Sequence, residues 1–219
     1  MLDALHVYDD LDAKSAALNM AVDEALLETA TVPALRFYRW RRPALSFGYF
    51  GAYAEVASQR DHREIVRRWT GGGIVPHGDD LTYSVIIPAA NALFTRPSLE
   101  IYSALHQAIT IALRHYGIDA SLASAAAPKL SEECFANPVR ADVLSGGRKI
   151  AGAAHRRSRA GLLHQGSVQC RELGGEFKAD FARTLCDCFE SKMLSPAQLA
   201  RAEEIAAAKY ARVEWLMRR

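Results

Sequence analysis

No stretch of this chain approaches the roughly 18 consecutive apolar residues that a membrane-spanning helix needs, so no membrane partner is expected. The opening "MLDALHVYDDLDAK" lacks the basic-then-apolar order of a secretory leader. Cysteine is scarce. Four stand at 134, 170, 186 and 188, too few for a disulfide scaffold in 219 residues and fitting no paired CxxC zinc spacing. They read as reduced thiols, which points to a cytoplasmic protein with no metal site. A dominant charge is lacking too. Lys and Arg number 27 against 25 Asp and Glu, a formal net charge of +2, so any basic surface must be local. Single-strand nucleic-acid binders interleave aromatics with basic residues along a groove. "FYRWRRP" hints at this but stands alone, and nucleic acid is not an expected partner.

What is present is ordinary for a soluble globular protein: 50% hydrophobic and 24% charged residues. No repeat and no linker stands out, so residues 1–219 read as a single domain, with about 177–219 a C-terminal helical segment. A helix is expected from near Asp12, with Leu18, Val22 and Leu26 on one apolar face. "ALRFYRW" alternates Leu35 and Phe37 against Arg36 and Tyr38 as a half-buried strand. "PALSFGYF", "EIVRR" and "LTYSVIIP" read as further strands, and "YAEVASQR" as a short helix. Ser98 is placed to cap a helix that stops at Gly117. "ADVLS" and "RKIAGAAHRR" read as a hairpin joined by Gly146 and Gly147, with "LLHQGSVQC" after a second turn. "EFKADFARTLCDCFESKM" reads as helix. In the helix after it, Ser195, Pro196 and Gln198 form a capping box. The ordering suggests α+β, a mostly antiparallel sheet with helices packed on one side.

The most informative stretch is "RRWTGGGIVPHGDDLTYS". Three glycines are costly to order, but they leave backbone N–H groups bare, so a phosphate or carboxylate can approach closely. Arg67 and Arg68 precede them on a strand, so one can point inward while the other faces elsewhere. His77 follows. The plainer alternative is a tight hairpin with solvated arginines. No Lys-Ser or Lys-Thr follows the glycines, which excludes a Walker A loop, and a strand rather than a helix follows, which excludes the dinucleotide fingerprint. A second stretch, "GGRKIAGAAHRRSRAGLLHQGSV", sets Lys149 among small and apolar residues, where its ammonium can meet a carbonyl or phosphate oxygen. A surface lysine is the commoner fate. Arg156, Arg157 and Arg159 read as a solvated hairpin tip, and His164 as either a core or a pocket histidine.

Together, "RRWTGGGIVPH" and "GRKIAGAAHRRSRAGLLHQGSV", in this order and separation, resemble the lipoate–protein ligase and octanoyltransferase family, which shares its catalytic fold with biotin–protein ligases. "NMAVDEALL" and "LRFYRWRRPALSFGYF" agree with its first helix and hairpin. The resemblance runs from about residue 11 to 170. It implies a biotin/lipoate protein ligase-like fold with a tunnel for an eight-carbon acyl chain. It also implies acyl delivery to a lysine on lipoyl domains of 2-oxoacid dehydrogenases or on the glycine cleavage H protein. It assigns Arg68, Gly71, Gly72, Gly73 and His77 to the acyl head group or adenylate, Lys149 to the activated carbonyl, Gly152 to passage of the acyl chain and His164 to the pocket wall.

Two chemistries share this family. A ligase needs ATP and Mg2+ and passes through lipoyl-AMP. A transferase needs no cofactor and takes octanoyl from acyl carrier protein through a cysteine thioester. Cys134, with Phe135 and Pro138 around it, resembles the nucleophile of the Gram-positive cysteine octanoyltransferases. Lys149 is placed to favour its thiolate, whereas Glu132 and Glu133 act against it. The alternative is an inert loop cysteine. Many ligases carry an extra C-terminal domain or use a partner, and Gly78 stands after His77 where ligases often have aspartate, although Asp79 and Asp80 come next. The transferase is therefore the preferred reading, the ligase the alternative, and a non-catalytic lipoyl- or biotinyl-binding protein the third. The other cysteines read as packing.

Overall fold

Two strands that lack alternation, "LTYSVIIP" and "GLLHQGSV", decide the architecture, because both are buried along nearly their whole length and so need cover on both faces. The computed structural model describes residues 2–126, 134–170 and 173–218, without the side chain of Cys134. In chain order its elements are β1 (Leu5–Lys14), α1 (Ala16–Thr29), β2 (Ala34–Trp40), β3 (Ala44–Phe47), β4 (Glu64–Arg67), β5 (Val75–His77), β6 (Leu81–Pro88) and α2 (Ser98–His115). Then come β7 (Ser121–Leu122), β8 (Val143–Ser145), β9 (Arg148–Arg157), β10 (Gly161–Val168), α3 (Gly175–Leu185), β11 (Phe189–Lys192), α4 (Pro196–Ile205) and α5 (Val213–Leu216). "YAEVASQR" forms two 3-10 turns rather than a helix, and a π-helical turn, Ala206–Tyr210, follows α4.

The large sheet runs β11-β1-β2-β6-β10-β9-β8-β7. β1 is parallel to both β11 and β2, and the other neighbours are antiparallel. A small sheet, β4-β3-β5, stands apart. The α+β class and the mostly antiparallel sheet agree with expectation, but the helices cover both faces rather than one. Leu35, Phe37, Tyr83 and Val85 pack against α2 and α3. The alternate positions Ala34, Tyr38, Ile86 and Leu163 pack against α1 and α4. The same two-sided cover buries Arg36 completely, although the pattern suggested a half-buried strand. Its guanidinium is neutralised by Asp10 Oδ2 at 2.7 Å and Asp23 Oδ1 at 2.8 Å, and Asn19 Oδ1 accepts a further bond at 2.8 Å. An unpaired charge could not remain there.

Other boundaries shift for identifiable reasons. The first helix begins at Ala16, not near Asp12, with Ser15 Oγ accepting from Leu18 N at 3.3 Å. Residues 5–14 are instead a strand whose acidic Asp10 is matched by Arg36 and Lys14. Ser98 lies inside α2 and does not cap it; Pro97 holds the cap position, and Gly117 ends the helix at φ +73°. The Gly146–Gly147 hairpin forms with φ of +53° and +75°, and the Ser195–Gln198 capping box forms as read. The expected all-helical C-terminal segment contains an edge strand, β11, which pairs with β1 through a register set by Leu5 and Phe189. A four-residue edge strand with Glu190 exposed and Lys192 half-buried resists further pairing.

Between α2 and the sheet lies a histidine group: His106, His155 and His164, with Tyr83 and Tyr102. His106 Nε2, His155 Nδ1 and His164 Nδ1 are buried without a hydrogen-bond partner. Burial lowers all three. His106 is pushed down to about 4, His164 well below its usual value by burial and by the two neighbouring histidines, and His155 by burial and Arg157. In the unfolded chain they titrate near 6.5. Below that pH the unfolded chain takes up protons that the folded state refuses, so stability falls as pH drops from about 6.5 toward about 4. Calorimetry should show Tm falling over this interval, and His164→Leu should flatten the fall. An unchanged slope in that variant would show that His164 does not titrate on unfolding.

Candidate functional site

The glycine loop is held by its own arginine. Arg68 ends the run from β4 and turns its guanidinium back to donate to Gly71 O at 3.0 Å and Gly73 O at 2.8 Å, and to Ser46 Oγ at 2.6 Å. Arg67 faces the other way, as strand alternation requires. It donates to the carbonyls of Tyr49, Gly51, Leu216 and Arg218 and so ties α5 to β4. Gly72 adopts φ +86°. A Cβ on Gly48 would stand 2.0 Å from Gly72 O, so the loop lies directly on the backbone after β3.

Behind Arg68 runs a relay. Arg68 can only donate, so the Ser46 hydroxyl accepts from it and donates to His77 Nε2 at 2.7 Å. That leaves His77 Nδ1–H to donate to Asp80 Oδ2 at 2.8 Å. Trp40 stacks on the His77 ring at 4.2 Å. Asp80 also accepts from Ser167 Oγ at 2.7 Å, Thr82 Oγ1 at 2.9 Å and Gly78 N at 3.1 Å. Burial acts to raise the Asp80 carboxyl, but the His77 ring and these hydrogen bonds outweigh it and hold the group at about 2. A fixed carboxylate therefore sets the histidine tautomer, and through Ser46 the aim of Arg68.

Facing this relay is a narrow cavity. Met20, Tyr38, Trp40, Val75 and Ala154 give it apolar walls, and Arg68, Gly72 and Gly152 also line it. Gly152, Ala154, Gln165 and Ser167 share this face of the sheet, as the pairing of β9 with β10 dictates. Gln165, a polar residue of the lining, is internally paired: it accepts from Thr70 Oγ1 at 2.9 Å and donates to Asp23 Oδ2 at 2.8 Å. Next to it lies a wider groove lined by Ile74, Pro76, Phe135, Pro138 and Lys149.

Lys149 reaches the seam between the two. A Cβ on Gly152 would stand 2.3 Å from Lys149 Cε and 2.7 Å from its Nζ, so the lysine occupies the space that this glycine leaves. Its Nζ pairs with Asp142 Oδ2 at 2.7 Å and lies 5.4 Å from the Phe135 ring centroid. The glycine loop meets the same strand, since a Cβ on Gly72 would lie 3.3 Å from Ala154 Cβ. Arg68, Gly72, His77, Gly152 and Lys149 thus gather on one face. His164 does not join them: it is fully buried on the α2 face, with Tyr83 OH 3.3 Å from its Nε2. Cys134 opens the 3-10 turn Cys134–Ala136, whose next residue walls the groove; its side chain lies outside the described residues. Arg156 sits against Tyr49 and Trp69, and Arg157 is bound by Phe94 and Arg96 carbonyls, so only Arg159 of the three is a solvated tip. Cys186 is packed, but Cys188 is exposed and Cys170 half-buried.

Sequence reading missed Ser46, Gln165, Asp142 and Tyr102. The first two sit in strands without any local signal, and the last two meet only through tertiary packing. Among the described residues no group of three or more His, Cys, Asp or Glu is arranged to hold a metal ion, and no helix is long and apolar enough to cross a membrane. Gly152→Ala should displace the Lys149 ammonium and cost roughly 100-fold in turnover, as ångström-scale misplacement does, while circular dichroism stays native. Wild-type turnover in that variant would show that the lysine has room elsewhere.

A family model described as the lipoyl protein ligase A/B catalytic domain matches residues 15–185. Octanoyltransferase LipM of Oceanobacillus iheyensis is 37% identical over 164 residues, covering 71% of this chain and 60% of that protein. Octanoyltransferase LipM of Bacillus subtilis (strain 168) is 35% identical over 170 residues, covering 70% and 61%. The chain therefore spans about three-fifths of the length of these relatives. Among solved structures, lipoate-protein ligase A bound with ATP superposes with a TM-score of 0.79 at 20% identity, covering 99% of both chains. A bi-partite lipoate protein ligase from Thermoplasma acidophilum, studied with its E2 lipoyl domain, gives 0.76 at 19% identity, covering 99% and 97%. At these identities the likeness concerns the fold.

Proposed function

The chain belongs to the lipoyl protein ligase A/B catalytic domain family, and on that premise we propose that it transfers an octanoyl group from acyl carrier protein to a lysine of a lipoyl domain, through a thioester on Cys134. The observation that carries this reading is the approach of Lys149, beside Gly152, to the largely apolar cavity that the Arg68-held glycine loop lines. An acyl chain suits the walls formed by Met20, Trp40 and Val75, and its carbonyl suits the seam where Lys149 stands. The relatives named as octanoyltransferases support transfer over ligation.

In this reading the Cys134 thiolate attacks the donor thioester, a new C–S bond forms, and the donor thiolate leaves and takes up a proton. The acceptor amine then attacks the same carbon. A C–N bond forms, the C–S bond to Cys134 breaks, and the amine gives up its proton. Lys149 donates to the carbonyl oxygen as charge gathers there in each tetrahedral state, and its positive charge favours the Cys134 thiolate. Arg68 keeps the glycine loop clear of side chains beside the reacting carbon. The route needs neither nucleotide nor metal. The whole described chain serves as one catalytic unit, with its acceptor a lipoyl domain of a 2-oxoacid dehydrogenase or the glycine cleavage H protein.

The test offers octanoyl-acyl carrier protein in one reaction and lipoate with ATP and Mg2+ in another, and reads intact mass before acceptor is added. An octanoyl adduct on the enzyme is expected from the first, absent in Cys134→Ser, and Lys149→Ala should stop delivery to the lipoyl domain. An enzyme that forms no adduct and modifies the lipoyl domain only with ATP would replace the transferase with the ligase.

A further inference from the structure

We propose that Asp142 and Tyr102 are positioning residues that fix the Lys149 ammonium at the reacting carbonyl; the proposal rests on the acyl-transfer reading above. A lysine head group on a four-carbon stem has many rotamers, and a site that uses it as a donor must restrict them. The restriction is built from parts outside β9. Asp142 is fully buried and stands immediately before β8, the strand that pairs with β9 across the Gly146–Gly147 hairpin. Its Oδ2 pairs with Lys149 Nζ at 2.7 Å and accepts from Val139 N at 2.7 Å, while its Oδ1 accepts from the Tyr102 hydroxyl at 2.5 Å. That hydroxyl in turn accepts from Ala153 N at 3.2 Å, beyond the reach of β8, so β9 itself orients Tyr102. The chain of contacts returns to the residue beside Gly152, the glycine that leaves room for the lysine.

The backbone around Asp142 is strained in a way that serves this aim. Ala141 has φ +70°, the only positive φ at a non-glycine among the described residues. A side chain in that region is disfavoured unless its surroundings enforce it, and such strain gathers at functional sites. The enforcement is visible. His106 Nδ1 donates to Ala141 O at 2.7 Å, and Ala141 N donates to Ala123 O at 2.8 Å. Tyr102 and His106 lie one turn apart on α2, with ring centroids 4.0 Å from each other, so one helix face grips Ala141 and Asp142 together. A buried carboxylate adds little net stability by pairing with one ammonium. A strained turn, a helix face and a missing Cβ spent on that pair fit a placed charge better than a fastening.

The experiment measures acyl transfer to a lipoyl domain, with adduct formation and delivery read separately by intact mass. Asp142→Asn keeps the shape but removes the charge and turns one of the two acceptor oxygens into a donating NH2. It should lower kcat roughly 100-fold with KM unchanged, the mark of an interaction made in the transition state. Tyr102→Phe should lower kcat about 10-fold for the same reason. In a Lys149→Met background neither change should cost anything further, because residues acting through one partner are non-additive. Losses that add in the double variants, or a folded Asp142→Asn with wild-type kcat, overturn the proposal. Should Asp142→Asn fail to fold, wild-type kcat in Tyr102→Phe overturns it. These outcomes presuppose an active wild type. A wild-type protein that modifies no lipoyl domain by either route overturns the functional reading instead.

Discussion

The candidate site depends on a guanidinium that spends its donors on its own chain. Arg68 binds the carbonyls of Gly71 and Gly73, and Ser46 passes the restraint through His77 to the deeply acidic Asp80. Glycines lose the most freedom on folding, so a loop of three needs such a clamp to keep one shape. Gly48 then lets two backbones touch where any side chain would collide, and Gly72 supplies a φ of +86° that other residues rarely adopt. The clamp resolves the purpose of the adjacent arginines: strand alternation sends one to the loop and the other to the carbonyls at the end of α5.

The second half of the site follows the same principle with a different charge. Lys149 is held by a carboxylate from the residue just before the neighbouring hairpin strand and occupies the gap left by Gly152. Both halves lie on one sheet face because β9 and β10 pair in a register that puts Gly152, Ala154, Gln165 and Ser167 together. The opposite face of those strands holds the unpartnered histidines, which cost stability in acid but stay clear of the cavity. The two faces divide the labour: one is packed against α2 and α3, the other is open enough for a ligand beneath the small sheet.

Much of this was legible before folding. The capping box at Ser195 and the Gly146–Gly147 hairpin are local chemistries and formed as read. β1 was not legible, because "DDLDAK" looks like a polar helix start until Arg36 and Lys14 arrive to neutralise Asp10. β11 was not, because its pairing partner lies at the other end of the chain. His164 carried no sign of which face it would take, since in a strand buried on both sides alternation no longer separates inside from outside.

The sequence by itself determined the family, the glycine loop with its flanking arginines and the lysine hairpin, because each is a short pattern whose chemistry depends on spacing along the chain. Only the tertiary structure decided that helices cover both faces, that Asp142 and Tyr102 stand behind Lys149, and that Ser46 links Arg68 to His77. Those contacts join residues far apart in sequence through sheet register and helix packing, and no local propensity records a partner that arrives only when the core closes.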